Sequence, residues 1–191
     1  KSSERAVKNR VSIVIPVYYN ELNINPTFNC IKKDVIDKNK DREFELIFID
    51  DGSKDASLDK LIELKNEYPS LIKVIKLTKN FGQSAAVSAG FDYATGEFIV
   101  SIDADLQDPP DLINEMLQCY FVDNHEFVVA IRKTRKESLY RRFVSFVWYT
   151  ILRKMTFEEF PVNGFNFFSI SHRVRDAVMK NVTNSSPLTN T

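Results

Sequence analysis

The chain has 191 residues, 43% of them hydrophobic, which is enough apolar content for one domain with its own core. Lys plus Arg equals Asp plus Glu at 26 each, so there is no global positive surplus to drive non-specific nucleic-acid binding, and charged partners must be met locally. Cys30 and Cys119 lie far apart without CxxC or metal-type spacing and are expected as reduced core residues. No apolar run reaches the roughly 20 residues of a bilayer span and no secretory signal is recognisable, so this chain is expected to be soluble as it stands.

Residues 1–10 carry five charges and few apolar side chains, and are expected as a disordered lead-in to a domain over 11–182. Val11 to Val17 is nearly continuously apolar and β-branched, predicting a strand buried on both faces, and Glu45 to Ile49 repeats the pattern. Between them, Leu22, Phe28, Ile31 and Val35 are spaced for a helix over Leu22 to Ile36. Leu58, Leu61, Ile62 and Leu64 predict a second over Ala56 to Tyr68. Further along come a strand Ile72 to Leu77, a small-residue helix Ser84 to Ala94, a strand Phe98 to Ile102, a helix Leu112 to Phe121 and a strand Phe127 to Ile131. The Asn-, Ser- and Thr-rich 183–191 reads as a frayed end. This alternation predicts an α/β fold whose mostly parallel central sheet is flanked by helices.

Ligands of such sheets gather at the carboxyl ends of the strands. The polar clusters Tyr18 to Glu21, Asp50 to Lys54, Asp103 to Asp108 and Arg132 to Lys136 all follow strands, which places them along one edge. In Asp103-Ala104-Asp105-Leu106-Gln107-Asp108 two carboxylates at alternate positions, with Gln107, form a hard-oxygen set suited to Mg²⁺ or Mn²⁺. The competing reading is structural, with Asp108 or Pro109 starting the next helix. An EF-hand loop fits poorly, since its glycine and terminal glutamate are both missing. Asp50-Asp51-Gly52-Ser53 turns sharply after its strand and would bring a carboxylate to a nucleotide base or ribose, or would be an ordinary turn with Asp55 capping a helix. Neither GxGxxG nor a P-loop occurs and glycines number five, so phosphates must be held by a metal and side chains. His125 and His172 have no ligand spacing.

Four blocks in this order, VSIVIPVYYNE, FIDDGSKD, KNFGQSAAVSAGFDYATGE and SIDADLQDPP, resemble the family 2 glycosyltransferases of the GT-A fold, in particular those that glycosylate polyprenyl phosphates. The resemblance covers about half of the chain. It implies that Pro16, Tyr18, Asn20 and Glu21 line a nucleotide pocket, that Asp50 or Asp51 contacts base or ribose, and that Lys79 approaches a phosphate. It also implies that Asp103, Asp105 and Gln107 hold a divalent cation and the diphosphate, with Asp103 alternatively on the ribose. Downstream it implies that Arg132, Arg135, Arg141 and Ser145 grip an acceptor phosphate. Phe143 to Leu152, flanked by basic residues, suits either a helix at a membrane interface or a core helix. Asn166 departs from the family pattern, in which relatives commonly carry Asp. An amide is no general base, so an already anionic acceptor phosphate suits this chain, whereas a hydroxyl acceptor would call on a carboxylate such as Asp108.

The resulting expectation is inverting, metal-dependent transfer of a sugar from a UDP- or GDP-linked donor to a polyprenyl phosphate at the cytoplasmic face of a membrane, with no nucleic-acid partner. The oligomeric state stays open, a homo-oligomer included. Transfer to a glycan or glycolipid hydroxyl, a non-catalytic nucleotide-sugar-binding domain and a phosphohydrolase are the alternatives.

Overall fold

In strand β1 (Val7–Val17) from Val11 onward, and in β2 (Glu43–Asp50) and β4 (Gly96–Ser101), nearly every side chain is buried, the pattern of strands covered on both faces. The computed structural model describes residues 7–130 and 167–184. Six strands form one sheet in the order β3-β2-β1-β4-β6-β5, where β3 is Ile72–Lys76, β5 Phe127–Val129 and β6 Phe168–Ser171. The pairs β1/β2, β1/β4 and β2/β3 are parallel, and β4/β6 is antiparallel. The helices are α1 (Ile24–Ile31), continued by a π-helical turn Lys32–Ile36, α2 (Ser57–Glu67), α3 (Gln83–Tyr93), α4 (Leu112–Phe121) and α5 (His172–Asn184). The chain divides into two units, 1–128 with 166–191, and 129–165; all these elements except the last residue of β5 lie in the first.

The predicted alternation and mostly parallel sheet are present, with differences that have physical causes. β1 starts at Val7, so 7–10 extend the sheet rather than forming the end of a lead-in. Asn9 N–H donates to Glu97 at 3.0 Å, and Arg10 bonds Glu43 at 2.7 Å and Thr95 at 3.2 Å. Asn9 takes φ 60° where the β1/β4 register shifts, a bulge that absorbs the extra length. Leu22 is 76% exposed and precedes α1, because the chain is still turning there. Cys30 and Cys119 are both free thiols, half-buried rather than core. Burial, then the hydrogen bond to Asp34, pushes the Cys30 thiol up and keeps it protonated.

Strand residues alternate between two faces. Val14, Ile47, Ile49 and Ile99 face α3 and α5, and Ala86 and Phe91 of α3 with Ile170 of β6 complete the cluster. Helix α3 lies so close that a Cβ on Gly90 would overlap Val14 and Ile49, which explains Gly90 and the buried Ala86 as packing, whereas Ala85 is exposed. Phe98, on the opposite face, stacks on Tyr120 of α4 at 4.6 Å between centroids.

At the amino ends of the strands Glu45 is 4% exposed. It accepts from Ser12 Oγ at 2.5 Å and from Thr95 N at 2.7 Å, with Lys73 Nζ at 2.7 Å. Burial raises this carboxyl, but the bonds from Lys73, Ser12 and Thr95 outweigh it and hold it below the ordinary carboxylate value. A folded pKa below the unfolded one gives stability that is present above about pH 4.5 and lost as pH falls through the depressed value. Glu45→Ala should therefore cost about 1–3 kcal/mol in urea unfolding at pH 7 by stranding these donors. The difference from the parent should shrink below pH 4.5.

Candidate active site at the strand switch point

The first three strands build outward from β1 to β3, and the chain then crosses back over α3 to place β4 on the other side of β1. Loops leaving β1 and β4 diverge at such a switch point and open a crevice at the carboxyl ends of the strands. A cavity of about 270 Å³ sits there. Pro16, Val17, Tyr18 and Asn20 from the end of β1, Asp51 after β2, Asn80, Gly82, Gln83 and Ala86 around the start of α3, and Asp103 to Asp105 after β4 line it.

The loop after β1 is locked onto the loop after β2. Asp51 N donates to Val17 O at 2.9 Å, Tyr19 N to Ser53 Oγ at 3.1 Å, and Asn20 N to Ser57 Oγ at 3.0 Å. The Asn20 side chain accepts from Tyr18 N at 3.0 Å, closing a turn in which Tyr19 takes φ 53°. Glu21 does not line the cavity. Its carboxylate accepts from Ala56 N at 2.9 Å, and Asp55 accepts from Ser57 N at 3.1 Å, so together they satisfy N–H groups at the start of α2. Burial raises the Asp55 carboxyl, yet the hydrogen bonds from Ser57 and from Glu21 N–H prevail and keep it below its ordinary value.

Asp50 and Asp51, adjacent in sequence, have different fates. Asp50 is fully buried as the last residue of β2, on the face away from α3, with Oδ1 3.3 Å from Ser53 N, so it does not reach the cavity. Asp51 turns the other way, and its two oxygens accept from Phe81 N at 2.8 Å and Gly82 N at 2.9 Å. Gly52 takes φ 73°, and a Cβ there would come within 2.6 Å of the Lys79 backbone, so only glycine lets the two loops meet. Lys79 itself is exposed, with Nζ 5.1 Å from the Phe81 ring centroid, and does not line the cavity.

After β4, Ile102 N donates to Val14 O at 3.1 Å and Thr27 Oγ1 to Ala104 O at 2.9 Å, which fixes the acidic loop between β1 and α1. Asp105 Oδ1 accepts from Gln107 N at 3.0 Å, in a turn where Leu106 takes φ 56°. Asp103 Oδ1 accepts from Gln83 Nε2 at 2.6 Å. Gln107 and Asp108 lie outside the lining; Asp108 is 8% exposed, and α4 begins only at Leu112, so neither Asp108 nor Pro109 starts that helix. Arg132, Arg135, Arg141, Ser145, Asn166 and the stretch 143–152 lie outside the described residues.

Three carboxylates, Asp51, Asp103 and Asp105, line the cavity, and among the described lining residues none is Lys or Arg. An anionic ligand entering here meets like charge unless a cation comes with it. Among the described residues no three His, Cys, Asp or Glu side chains group to hold a metal ion unaided. Asp103 and Asp105 are the lining carboxylates that could hold a divalent cation together with ligands from a bound molecule. Sequence reasoning missed Gln83, which is signalled only by its position as the first residue of α3, directly after Gly82.

The profile of Glycosyl transferase family 2 matches residues 12–179. An uncharacterized glycosyltransferase of Bacillus subtilis, YkcC, is 40% identical over 177 residues, covering 92% of this chain and 53% of that protein. An undecaprenyl-phosphate 4-deoxy-4-formamido-L-arabinose transferase of Proteus mirabilis is 31% identical over 172 residues, covering 90% and 52%. The chain thus spans about half the length of the curated relatives it matches. Among solved structures, the mannosyltransferase PcManGT of Pyrobaculum calidifontis, in complex with GDP-Man and Mn²⁺, superposes with a TM-score of 0.63 at 16% identity, covering 93% of this chain and 50% of that one, a likeness of fold.

Asp51→Asn replaces a charged acceptor of two N–H groups with an amide that accepts through one atom. It should lower the stability of the ligand-free chain by about 1–2 kcal/mol in chemical denaturation.

Proposed function

Because the chain belongs to glycosyl transferase family 2, we propose that its cavity binds a nucleoside-diphosphate sugar together with a divalent cation, and that the sugar passes with inversion to a polyprenyl phosphate. The observation that carries this reading is the cavity at the switch point, lined by Asp51, Asp103 and Asp105 and by no described basic side chain. A diphosphate is admitted to such a site only with a counter-charge. Bound Mg²⁺ or Mn²⁺ would be held by Asp103 and Asp105 and would supply neutralisation of the leaving diphosphate.

The chain's own groups do the rest. Tyr18 and Asn20 form the wall beside β1, and the buried Asp51 ties the start of α3 to that wall. An acceptor phosphate oxygen attacks the anomeric carbon as the bond to the donor β-phosphate oxygen breaks. The nucleoside diphosphate leaves from the opposite face, and the configuration inverts. The acceptor is already an anion and needs no base. That suits a site where Asp108, the carboxylate a hydroxyl acceptor would call on, is 8% exposed and outside the cavity lining.

Two further observations support the polyprenyl-phosphate acceptor: the likeness to the undecaprenyl-phosphate transferase of Proteus mirabilis, and the basic run from Arg132 to Arg142 in the sequence. On this reading the acceptor is met at the cytoplasmic face of a membrane. Among the described residues no helix is long and apolar enough to cross one.

The test is thermal melting of the chain with UDP, GDP, CDP or dTDP, each with and without Mn²⁺. One nucleotide at about 100 times its dissociation constant should add about 2.7 kcal/mol and raise the midpoint by about 5–10 °C only when Mn²⁺ is present. Asp105→Asn should abolish the rise; a metal-independent rise, or none with any nucleotide, would overturn the reading. In a sugar-transfer assay with undecaprenyl phosphate, Arg132→Ala and Arg141→Ala should each lower transfer at least tenfold while leaving the nucleotide-induced shift intact. Retained transfer would remove the phosphate acceptor.

A further inference from the structure

The hydrogen bond from Gln83 to Asp103 joins the first residue of α3 to the loop after β4, and both residues line the cavity. Helix α3 has other anchors. The start of α3 is already held by Asp51, which accepts from Phe81 and Gly82. Its end is held by Arg175 of α5, whose Nη1 lies 2.5 Å from Phe91 O and 3.4 Å from Ala94 O. Gln83 is exposed, and a side-chain bond in contact with water adds little to folding.

The bond has a chemical effect on the site. A donor at Oδ1 restrains the rotation of the Asp103 carboxylate, and one such bond uses only one of the roughly four lone-pair sites that a carboxylate offers. An amide also does this without charge. An ammonium at 83 would compete with a divalent cation for Asp103, and a carboxylate there would add to the repulsion among Asp51, Asp103 and Asp105. Glutamine is the side chain that is long enough to cross and neutral enough not to compete.

We propose that Gln83 is a positioning residue for donor binding: its amide orients Asp103 for the nucleotide and its cation without competing for either. This rests on the nucleotide-sugar reading of the cavity given above. Gln83 acts through Asp103, so its loss is felt in the metal-dependent part of nucleotide affinity and nowhere in the ligand-free fold.

The experiment is calorimetric titration of the chain with the nucleotide selected by melting, at a series of Mn²⁺ concentrations, for the parent, Gln83→Ala, Asp103→Asn and the double variant. Gln83→Asn, whose amide is one methylene shorter, serves as a second probe. Gln83→Ala and Gln83→Asn are each expected to weaken nucleotide binding about tenfold in Mn²⁺, the scale of one hydrogen bond to a charged group. They are also expected to raise the half-saturating Mn²⁺ concentration, with the ligand-free melting temperature unchanged. The double variant should bind no more weakly than Asp103→Asn alone. Unchanged affinity in both Gln83 variants, or losses that add fully in the double variant, would overturn the proposal while leaving the functional reading in place. A parent chain that binds none of the nucleotides would overturn that reading and this one with it.

Discussion

The Asp51 carboxylate is the joint on which the candidate site depends. It stands just past the end of β2, and both of its oxygens accept N–H groups from the two residues ahead of α3. Those N–H groups lie immediately ahead of the helix, where the backbone dipole favours negative charge. One side chain thereby joins the sheet to the helix that forms a wall of the cavity. Gly52 is the accessory to this contact, because any side chain there would collide with the backbone of Lys79 and Asn80. On the other side of the same turn, Asp51 N–H bonds Val17 O, so the loops after β1, β2 and β3 form one hydrogen-bonded rim.

Helix α3 is fixed at its other end by the opposite charge. Arg175, 8% exposed, reaches the carbonyls of Phe91 and Ala94, where a helix presents unpaired acceptors. A carboxylate at the start and a guanidinium at the end complement the dipole. Between them Gly90 and Ala86 allow the helix to lie directly on β1 and β2. These two small residues therefore serve contact with the sheet, and the polar ones at the start of the helix, Gln83 above all, are left to face the ligand side.

The electrostatics of the cavity follow from where β4 ends. Ile102 is pinned to Val14 and Ala104 to Thr27, and the residues between and after them, Asp103 and Asp105, are thereby turned into the crevice. Both oxygens of Asp51 are taken by backbone donors, and Asp103 and Asp105 are the pair proposed above for a cation brought in with a diphosphate.

Much of this was legible in the sequence, because it rests on local patterns. Continuous β-branched runs determined the buried strands, helical spacing determined α2 and α4, and polar clusters directly after strands marked the edge where the crevice opens. The limits of that legibility are equally specific. Adjacent Asp50 and Asp51 read as equivalent, and only the pleat of β2 decides that one is sealed on the far face while the other caps α3. Glu21 sits in a motif with Tyr18 and Asn20, yet it is drawn off to the start of α2 by a contact 35 residues away along the chain. Antiparallel β6 carries too short a pattern to be legible in four residues, and Arg175 reaches the carbonyls of a helix more than 80 residues distant along the chain. The sequence by itself determined the alternation of elements, the acidic loop and the family, because periodicity and short motifs are properties of neighbours along the chain. The tertiary structure alone decided which carboxylate caps, which is buried and which faces the ligand, because those roles are set by groups brought together only when the sheet closes.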